Sequence, residues 1–163
     1  MRSNFRLDVR CVLAFTIVTL IALTIALCAR LFVMEVYEVQ GQSMMPTLTD
    51  GDRLLILKLS PIDRGDIVVL RAPDNTTKVY VKRVIGLPNE TILLVGNYLF
   101  VDGVLLKENY INPDRLPGEE FIKIVCGPRQ YAVLGDNRPN SHDSRSFGSV
   151  GKQAIVGEVI CNW

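Results

Sequence analysis

An uninterrupted apolar run near the N-terminus most constrains what this chain can fold into. From Cys11 to Ala29, 19 residues, the sequence contains no charged residue, proline or glycine. A helix of this length is about 28 Å long, close to the roughly 30 Å hydrocarbon thickness of a bilayer. A cleaved signal peptide is the alternative, but its apolar core is usually only about 7–15 residues long. We therefore predict an uncleaved membrane anchor, a transmembrane segment over residues 11–33.

The charges that flank this run indicate the orientation of the anchor. Three arginines and one aspartate precede it, whereas one arginine and two glutamates follow it. The residues are Arg2, Arg6, Asp8 and Arg10 before the run, and Arg30, Glu35 and Glu38 after it. Segments with an excess of Lys and Arg usually remain in the cytoplasm. We expect residues 1–10 to be cytoplasmic and the rest of this single-pass protein to be extracytoplasmic.

Short segments rich in Val, Ile, Leu and Tyr predict an all-β domain over residues 36–163. Two-residue connections suited to hairpins, Gly96-Asn97 and Asp102-Gly103, join some of these segments. No long helical periodicity follows the anchor, and the domain is large enough for one core. We expect its sheets to fold into a barrel-like sandwich. The predicted strands lie within residues 54–59, 66–70, 78–85, 92–107 (three strands), 121–125, 130–135 and 154–160.

Composition argues against several classes of partner and cofactor. Residues 40–163 contain 14 basic and 14 acidic residues, so they lack the basic excess that a nucleic-acid surface needs. A single histidine and the absence of a CxxC spacing argue against a metal site, and we expect no cofactor. Cys11 and Cys28 fall within the anchor. In the exported domain, Cys126 and Cys161 either form a disulfide or are both buried and unpaired.

The stretch GQSMMPTL, residues 41–48, contains a candidate nucleophile. Gly41 allows the chain to turn, and Pro46 restricts Met45 to an extended conformation, so the hydroxyl of Ser43 can be held outward. The two methionines are expected on a surface that meets substrate and membrane rather than in the core. A serine hydroxyl is a poor nucleophile, however, and needs a nearby base.

Histidine is the usual base, but the run Ser141-His142-Asp143 cannot form a triad. The side chains of three consecutive residues point in different directions, and His142 lies in the polar loop NRPNSHDSR. A lysine can replace histidine only if its amine is neutral. That requires a pKa lowered from about 10.4 towards 7, or roughly 4 kcal/mol of differential solvation.

Lys82 meets the condition for such a lowered pKa. It lies in the apolar segment VYVKRVIGLP, and no acidic residue occurs between Asp74 and Glu90. In a strand, Tyr80 and Lys82 share one face, with Arg83 on the other. Desolvation of Lys82 would make it a base, and the alternative is an ordinary surface lysine on an edge strand.

Three segments, GQSMMPTL, KRVIGLP and GDNRPNSHDSRSFG, resemble in this order the signature boxes of bacterial type I signal peptidases. These are membrane-anchored serine–lysine endopeptidases, and the resemblance extends over nearly the whole chain. It implies that Ser43 is the nucleophile and that Lys82 is the general base. It also implies that the backbone N–H of Ser43 binds the oxyanion. Gly41 departs from the members that place a serine here, which puts a side-chain oxyanion donor in doubt.

The resemblance also assigns supporting residues. Ser141 matches the serine whose hydroxyl orients the lysine amine. Asp143 and Arg145 match an ion pair that braces this loop, and Asp136 matches another supporting acid. For the last three, ordinary turn chemistry is the alternative.

The implied substrates are the signal peptides of exported preproteins, which end in small residues at the first and third positions before the cut. The family binds this end as an added strand in a shallow groove. By position, the groove residues are Val39, Met44, Leu48, Tyr80 and Val81, with core packing as the alternative. Membrane lipid is the second expected partner.

Three other functions are weighed against this one. A self-cleaving repressor-type protease would need a DNA-binding domain in place of the anchor. A mitochondrial inner-membrane peptidase has similar signature boxes, and the host organism rather than the sequence would distinguish it from a bacterial signal peptidase. A non-enzymatic membrane-tethered chaperone on the same fold should have lost Ser43 or Lys82, and both are here.

Overall fold

A computed structural model describes residues 9–75, 77–96, 98–111 and 121–163. Residues 1–8 of the predicted cytoplasmic segment and Asn97 of a predicted hairpin turn lie outside the described residues. The chain begins with helix α1 (Val9–Phe32), and a short helix α2 (Ser144–Phe147) lies near the end. The strands are β1 (Met34–Glu38), β2 (Arg53–Leu57), β3 (Ile67–Arg71), β4 (Val79–Gly86), β5 (Thr91–Val95), β6 (Tyr98–Val101), β7 (Val104–Leu105), β8 (Phe121–Val125), β9 (Gln130–Leu134), β10 (Val150–Gly151) and β11 (Ile155–Asn162).

Helix α1 contains the predicted anchor. Its segment Val9–Cys28 has a mean hydropathy of 2.7 and is unburied, so it is long and apolar enough to cross a membrane. The threonine hydroxyls in this segment donate to carbonyls one turn earlier, as from Thr24 to Leu20 at 2.8 Å. These bonds satisfy polar groups that a hydrocarbon environment would leave without water. The helix ends at Phe32, and strand β1 begins two residues later.

A seven-stranded antiparallel sheet, in the order β1-β2-β11-β3-β4-β9-β10, forms most of the domain. Its register shifts lie between Val159 and Cys161, between Ile155 and Gly157, and between Val84 and Gly86. Such bulges bend a strand and increase its twist. The sheet accordingly curls into a half-barrel.

The second sheet has four antiparallel strands in the order β7-β6-β5-β8. It packs on the large sheet through buried residues of both, including Ile85, Ile92 and Leu134. Gly86 permits this contact, because a Cβ built there would lie 2.8 Å from Ile92 Cγ1 and 2.9 Å from the Ala132 Cβ. Full burial of each aliphatic side chain contributes about 1.5–3 kcal/mol.

The mainly β fold with an N-terminal apolar helix is confirmed, and the predicted strands are present with small shifts at their ends. Sequence reasoning missed β1, which pairs with β2, and the two-residue strand β10. Both cysteines of the β-domain are free; Cys126 is buried, whereas Cys161 is exposed. The expectation that both would be buried is therefore wrong for Cys161, because its side chain lies on the outer surface of β11.

Candidate active site

Ser43 lies in the loop between β1 and β2, where glycine and two buried side chains fix the backbone. Gly41 has φ of +93°, a left-handed conformation that favours glycine, and its N–H donates to Asp50 Oδ1 at 2.6 Å. Met44 and Leu48 are 1% and 2% exposed and belong to a core cluster with Val39. Met44 is thus a core residue, contrary to the expectation from sequence. Its burial anchors the loop beside Ser43.

Lys82 projects from β4 towards this loop. Its Nζ donates a hydrogen bond to Ser43 Oγ at 2.6 Å, and the residue is only 3% exposed. Burial lowers the pKa of Lys82 from its ordinary 10.5 to about 8. The negative charges of Asp143 and Asp136 raise this pKa, whereas the positive charge of Arg145 lowers it further. The desolvation that the apolar segment predicts therefore outweighs the nearby carboxylates. About half of the Lys82 population is therefore neutral near pH 8.

The loop of residues 135–145 is hereafter called the support loop. Its backbone contacts the loop between β1 and β2, residues 39–52, which contains Ser43 and is hereafter called the serine loop. The N–H of Asn137 donates to the carbonyl oxygen of Ser43 at 3.0 Å, and Asn137 Nδ2 donates to that of Gln42 at 2.9 Å. Gly135 allows the close approach, because a Cβ there would lie 2.6 Å from the Ser43 oxygen. Sequence reasoning did not single out Gly135 or Asn137, although both lie in the GDNRPNSHDSRSFG box.

Asp143 and Arg145 form a buried ion pair within the support loop. Arg145 Nε donates to Asp143 Oδ1 at 2.9 Å, and Arg145 Nη2 donates to Oδ2 at 3.0 Å. The Gly135 N–H also donates to Asp143 Oδ2 at 3.0 Å. Burial alone would raise the pKa of Asp143, but its bonds to Arg145 and Gly135 lower it below the ordinary value. Asp143 is therefore a permanent anion that joins the two ends of the loop.

Asp136 pairs with Arg83. Sequence reasoning placed Arg83 on the strand face opposite Lys82 but did not assign it a role. Arg83 Nε donates to Asp136 Oδ1 at 2.9 Å and Nη2 donates to Oδ2 at 2.6 Å. Thr47 Oγ1 donates to the same carboxylate at 2.5 Å. Asp136 thus joins the serine loop, β4 and the support loop. The KR pair in KRVIGLP was the signal that could have pointed to it.

In the described part of the chain, neither Ser141 nor His142 makes a hydrogen bond to Ser43 or Lys82. The buried Ser141 Oγ has no hydrogen-bond partner within the described residues, although it is near enough to Asp143 to help lower that pKa. The role of Ser141 in orienting Lys82 stays a prediction. His142 Nε2 lies 3.2 Å from Asp74 Oδ2, and both side chains are half-exposed.

A groove of about 640 Å³ runs past Ser43 and Lys82 between β1 and β4. It is lined by residues 36–40, by Ser43 and Met44, and by residues 77–82. Val39, Met44, Tyr80 and Val81 of the predicted substrate-binding set line this groove, whereas Leu48 does not. Leu48 packs beneath it in the core. Within the described residues, no group of three or more His, Cys, Asp or Glu side chains has the arrangement of a metal site.

Known proteins resemble this chain in both sequence and fold. The family model described as "Signal peptidase, peptidase S26" matches residues 12–163. A signal peptidase I of Bacillus caldolyticus is 43% identical, with 85% of this chain and 84% of that one covered. A signal peptidase I of Leptolyngbya laminosa is 35% identical, with 86% and 73% covered. The crystal structure of a signal peptidase I from Enterococcus faecalis is similar at a TM-score of 0.55 and 31% identity, covering 61% of this chain and 97% of that one. The chain therefore belongs to the signal peptidase family, peptidase S26.

Proposed function

We propose that this chain is a signal peptidase I, a serine endopeptidase that removes N-terminal signal peptides from exported preproteins, with Ser43 as nucleophile and Lys82 as general base. Family membership supports the activity. The observation that carries the residue roles is the 2.6 Å separation of Lys82 Nζ and Ser43 Oγ, with the amine buried. A buried amine beside a serine hydroxyl is the arrangement that lysine-assisted nucleophilic catalysis needs.

In the acylation step, neutral Lys82 accepts the Ser43 proton while Oγ attacks the scissile carbonyl carbon. The Ser43 backbone N–H stabilises the oxyanion of the tetrahedral intermediate. The protonated amine of Lys82 then donates its proton to the departing peptide nitrogen, and the C–N bond breaks. Water deprotonated by Lys82 hydrolyses the acyl ester and regenerates Ser43. Each step needs Nζ within hydrogen-bond reach of Oγ.

The groove supplies the substrate site in this proposal. β1 contributes Val36, Tyr37, Glu38 and, just beyond its end, Val39 to one wall. Within the described part of the large sheet, β1 pairs with β2 along one of its two edges. The other edge of β1 is therefore available to an extended peptide. An added strand would place alternate side chains against the apolar groove. A shallow groove favours small residues there, as in the ends of signal peptides.

The anchor places this site at the membrane. We assign residues 1–10 to the cytoplasm, 11–33 to the membrane and 36–163 to the extracytoplasmic peptidase domain, with lipid contacting α1. Protease added outside wall-stripped cells should then digest the β-domain and leave an N-terminal tag intact. Digestion of the tag with protection of the β-domain would invert the orientation and remove the access to exported substrates.

The activity is tested with the detergent-solubilised full chain and a peptide that spans a signal-peptide cleavage site. We expect one cut after the small residue, and no cut when that residue is replaced by a bulky one. Ser43→Ala and Lys82→Ala should each abolish the cut while the fold remains intact. Lys82→Arg should be inactive as well, because a guanidinium does not become a neutral base.

His142→Ala is the matched control, because it removes the single histidine of the chain, the residue type that usually acts as the base for serine. It should retain activity, since His142 bonds to Asp74 rather than to Ser43. A folded but inactive His142→Ala variant would contradict the assignment of Lys82 as the base.

A further inference from the structure

A buried ion pair of the support loop is separate from the serine–lysine pair and from the Asp143–Arg145 and Asp136–Arg83 pairs. Arg138 is 4% exposed, and its Nη2 donates to Oε1 of Glu108, whose side chain is 7% exposed. The hydroxyl of Tyr110 donates to the same Oε1 at 2.7 Å. Glu108 and Tyr110 follow strand β7 of the small sheet, 26 and 28 residues after Lys82 in the chain. They are remote in sequence from every segment assigned so far.

A buried ion pair is a poor source of stability, because desolvating two charges offsets most of their attraction. Retaining a charged pair here therefore suggests a task that an apolar pair would not perform. Burial and the neighbouring Glu108 both raise the pKa of Tyr110 far above its ordinary value, so its phenol remains a hydrogen-bond donor. The three side chains form one fixed polar unit.

One route from this unit leads through Arg138 to the serine backbone. Arg138 Nε donates to the carbonyl oxygen of Gly135 at 3.1 Å, and the Arg138 carbonyl accepts from Arg145 Nη2 at 2.6 Å. Arg138 therefore fixes both ends of the support loop. That loop holds the Ser43 carbonyl through the Asn137 N–H.

A second route leads through Tyr110 to the same serine loop. The Tyr110 ring lies 4.0 Å from the Arg83 guanidinium carbon, a cation–π contact. Arg83 in turn holds Asp136, which accepts from Thr47 of the serine loop. The two routes start from one carboxylate and end on the Ser43 carbonyl and on Thr47, four residues later.

We propose that Glu108 and Tyr110 are positioning residues for the cleavage reaction, which set the distance between Ser43 Oγ and Lys82 Nζ through Arg138 and Arg83. The inference rests on the proposed function of the serine–lysine pair. Neither residue lines the substrate groove, so each acts indirectly. Glu108 acts through Arg138 of the support loop, and Tyr110 acts through Arg83, which pairs with Asp136 of the same loop. A loosened support loop would also admit water to Lys82 and weaken the desolvation that keeps its amine neutral.

Glu108→Gln tests the proposal with the least change of shape, because the amide oxygen can still accept while the charge is lost. We expect kcat to fall roughly ten- to hundredfold with KM nearly unchanged, since the groove is intact. The rising limb of the pH–rate profile should move to higher pH. Hydrogen exchange at the Asn137 N–H should accelerate, while the amides of β5 stay protected.

Tyr110→Phe is a gentler second variant that keeps the ring over Arg83 and removes the bond to Glu108. It should show a smaller fall in kcat, a smaller shift of the pH–rate profile and a smaller acceleration of exchange at the Asn137 N–H. Ile124→Val, in the core of the small sheet, is the control for a general loss of stability, and its kcat and pH profile should be unchanged.

Wild-type kcat in both Glu108→Gln and Tyr110→Phe would overturn the inference. A loss of kcat without faster exchange at Asn137 would overturn it as well, because the support loop would then not transmit the effect. If the unaltered protein cleaves no signal-peptide substrate, the proposed function fails instead. The exchange measurement needs no turnover, so the two failures are distinguishable.

Discussion

Lys82 is neutral at an accessible pH because the two nearby acids are already paired. Asp143 is bonded to Arg145 and Asp136 to Arg83, so neither carboxylate has full attraction left for the Lys82 ammonium. Desolvation therefore dominates and sets the pKa near 8. The sequence predicted the apolar surroundings of Lys82 correctly. The Asp143–Arg145 pair was implied by the family resemblance, but the pairing of Asp136 was not predicted, because Arg83 and Asp136 are 53 residues apart and meet only in the fold.

The pH dependence of cleavage follows from this lowered pKa. In the proposed mechanism the reaction needs neutral Lys82, so kcat/KM for the signal-peptide substrate should rise with pH and level off above a midpoint near 8. The measurement is a pH–rate profile of the solubilised protein at low substrate concentration. A midpoint near the ordinary lysine value of 10.5 would mean that the amine is solvated, and the burial argument would then be wrong.

Lys82 should also destabilise the fold at neutral pH. Below pH 8 the amine is charged in the folded and unfolded states, and its burial opposes folding; above pH 10.5 it is neutral in both, and the penalty is gone. The difference between these pKa values corresponds to about 3 kcal/mol. Lys82→Met should therefore raise the free energy of unfolding at pH 7 by up to about 3 kcal/mol, with the gain vanishing towards pH 10.5.

Chemical denaturation of both proteins across this pH range provides the measurement. Lys58→Met is the matched control, because Lys58 makes an ion pair with Glu35 at the surface and should give no such pH-dependent gain. An equal gain at all pH values would show that packing, not charge, is responsible.

Among the elements, the strands were largely predictable and the support loop was not. Alternating apolar segments and two-residue turns indicate β2 to β6 because these patterns are local. The segment MEVYE of β1 directly follows the anchor, and its strand character depends on pairing with β2 across the serine loop. Leu48 was assigned to the groove by its closeness to Ser43, yet the turn after Met44 directs it into the core. Such directions are set by tertiary packing.

Gly135 is a position where the support loop has no room for a side chain. A Cβ there would lie 2.2 Å from Ser141 Oγ and 2.6 Å from the Ser43 carbonyl oxygen, so Gly135→Ala must displace one loop or the other. We expect a destabilisation of about 1–3 kcal/mol and a fall in kcat of roughly a hundredfold. Thermal unfolding and steady-state cleavage measure the two effects.

Gly127→Ala serves as the control for Gly135→Ala. The added Cβ would meet the flexible end of Gln130, 2.7 Å away, in a turn remote from Ser43. This variant should keep its kcat. Full activity in Gly135→Ala would show that the close contact with Ser43 is not needed for catalysis.

At the scale of the whole molecule, the anchor and the peptidase domain are joined without a linker. Helix α1 ends at Phe32, the Val33 carbonyl accepts from the Lys58 N–H at 2.9 Å, and β1 begins at Met34 as one wall of the groove. The apolar run predicted the helix but could not show this direct connection. Only Val33 therefore separates the end of helix α1 from a strand that lines the groove.

This connection predicts how cleavage depends on the anchor. Removing residues 1–32 leaves β1 and the Val33–Lys58 bond in place, so the remaining domain should cut a short soluble peptide at nearly the full rate. On membrane-inserted preproteins its rate should fall roughly a hundredfold or more, because the anchor raises the effective concentration of the site near its substrate. An unrelated transmembrane helix fused at Val33 should restore processing. Failure of that fusion, with peptide cleavage intact, would mean that α1 itself contacts the preprotein.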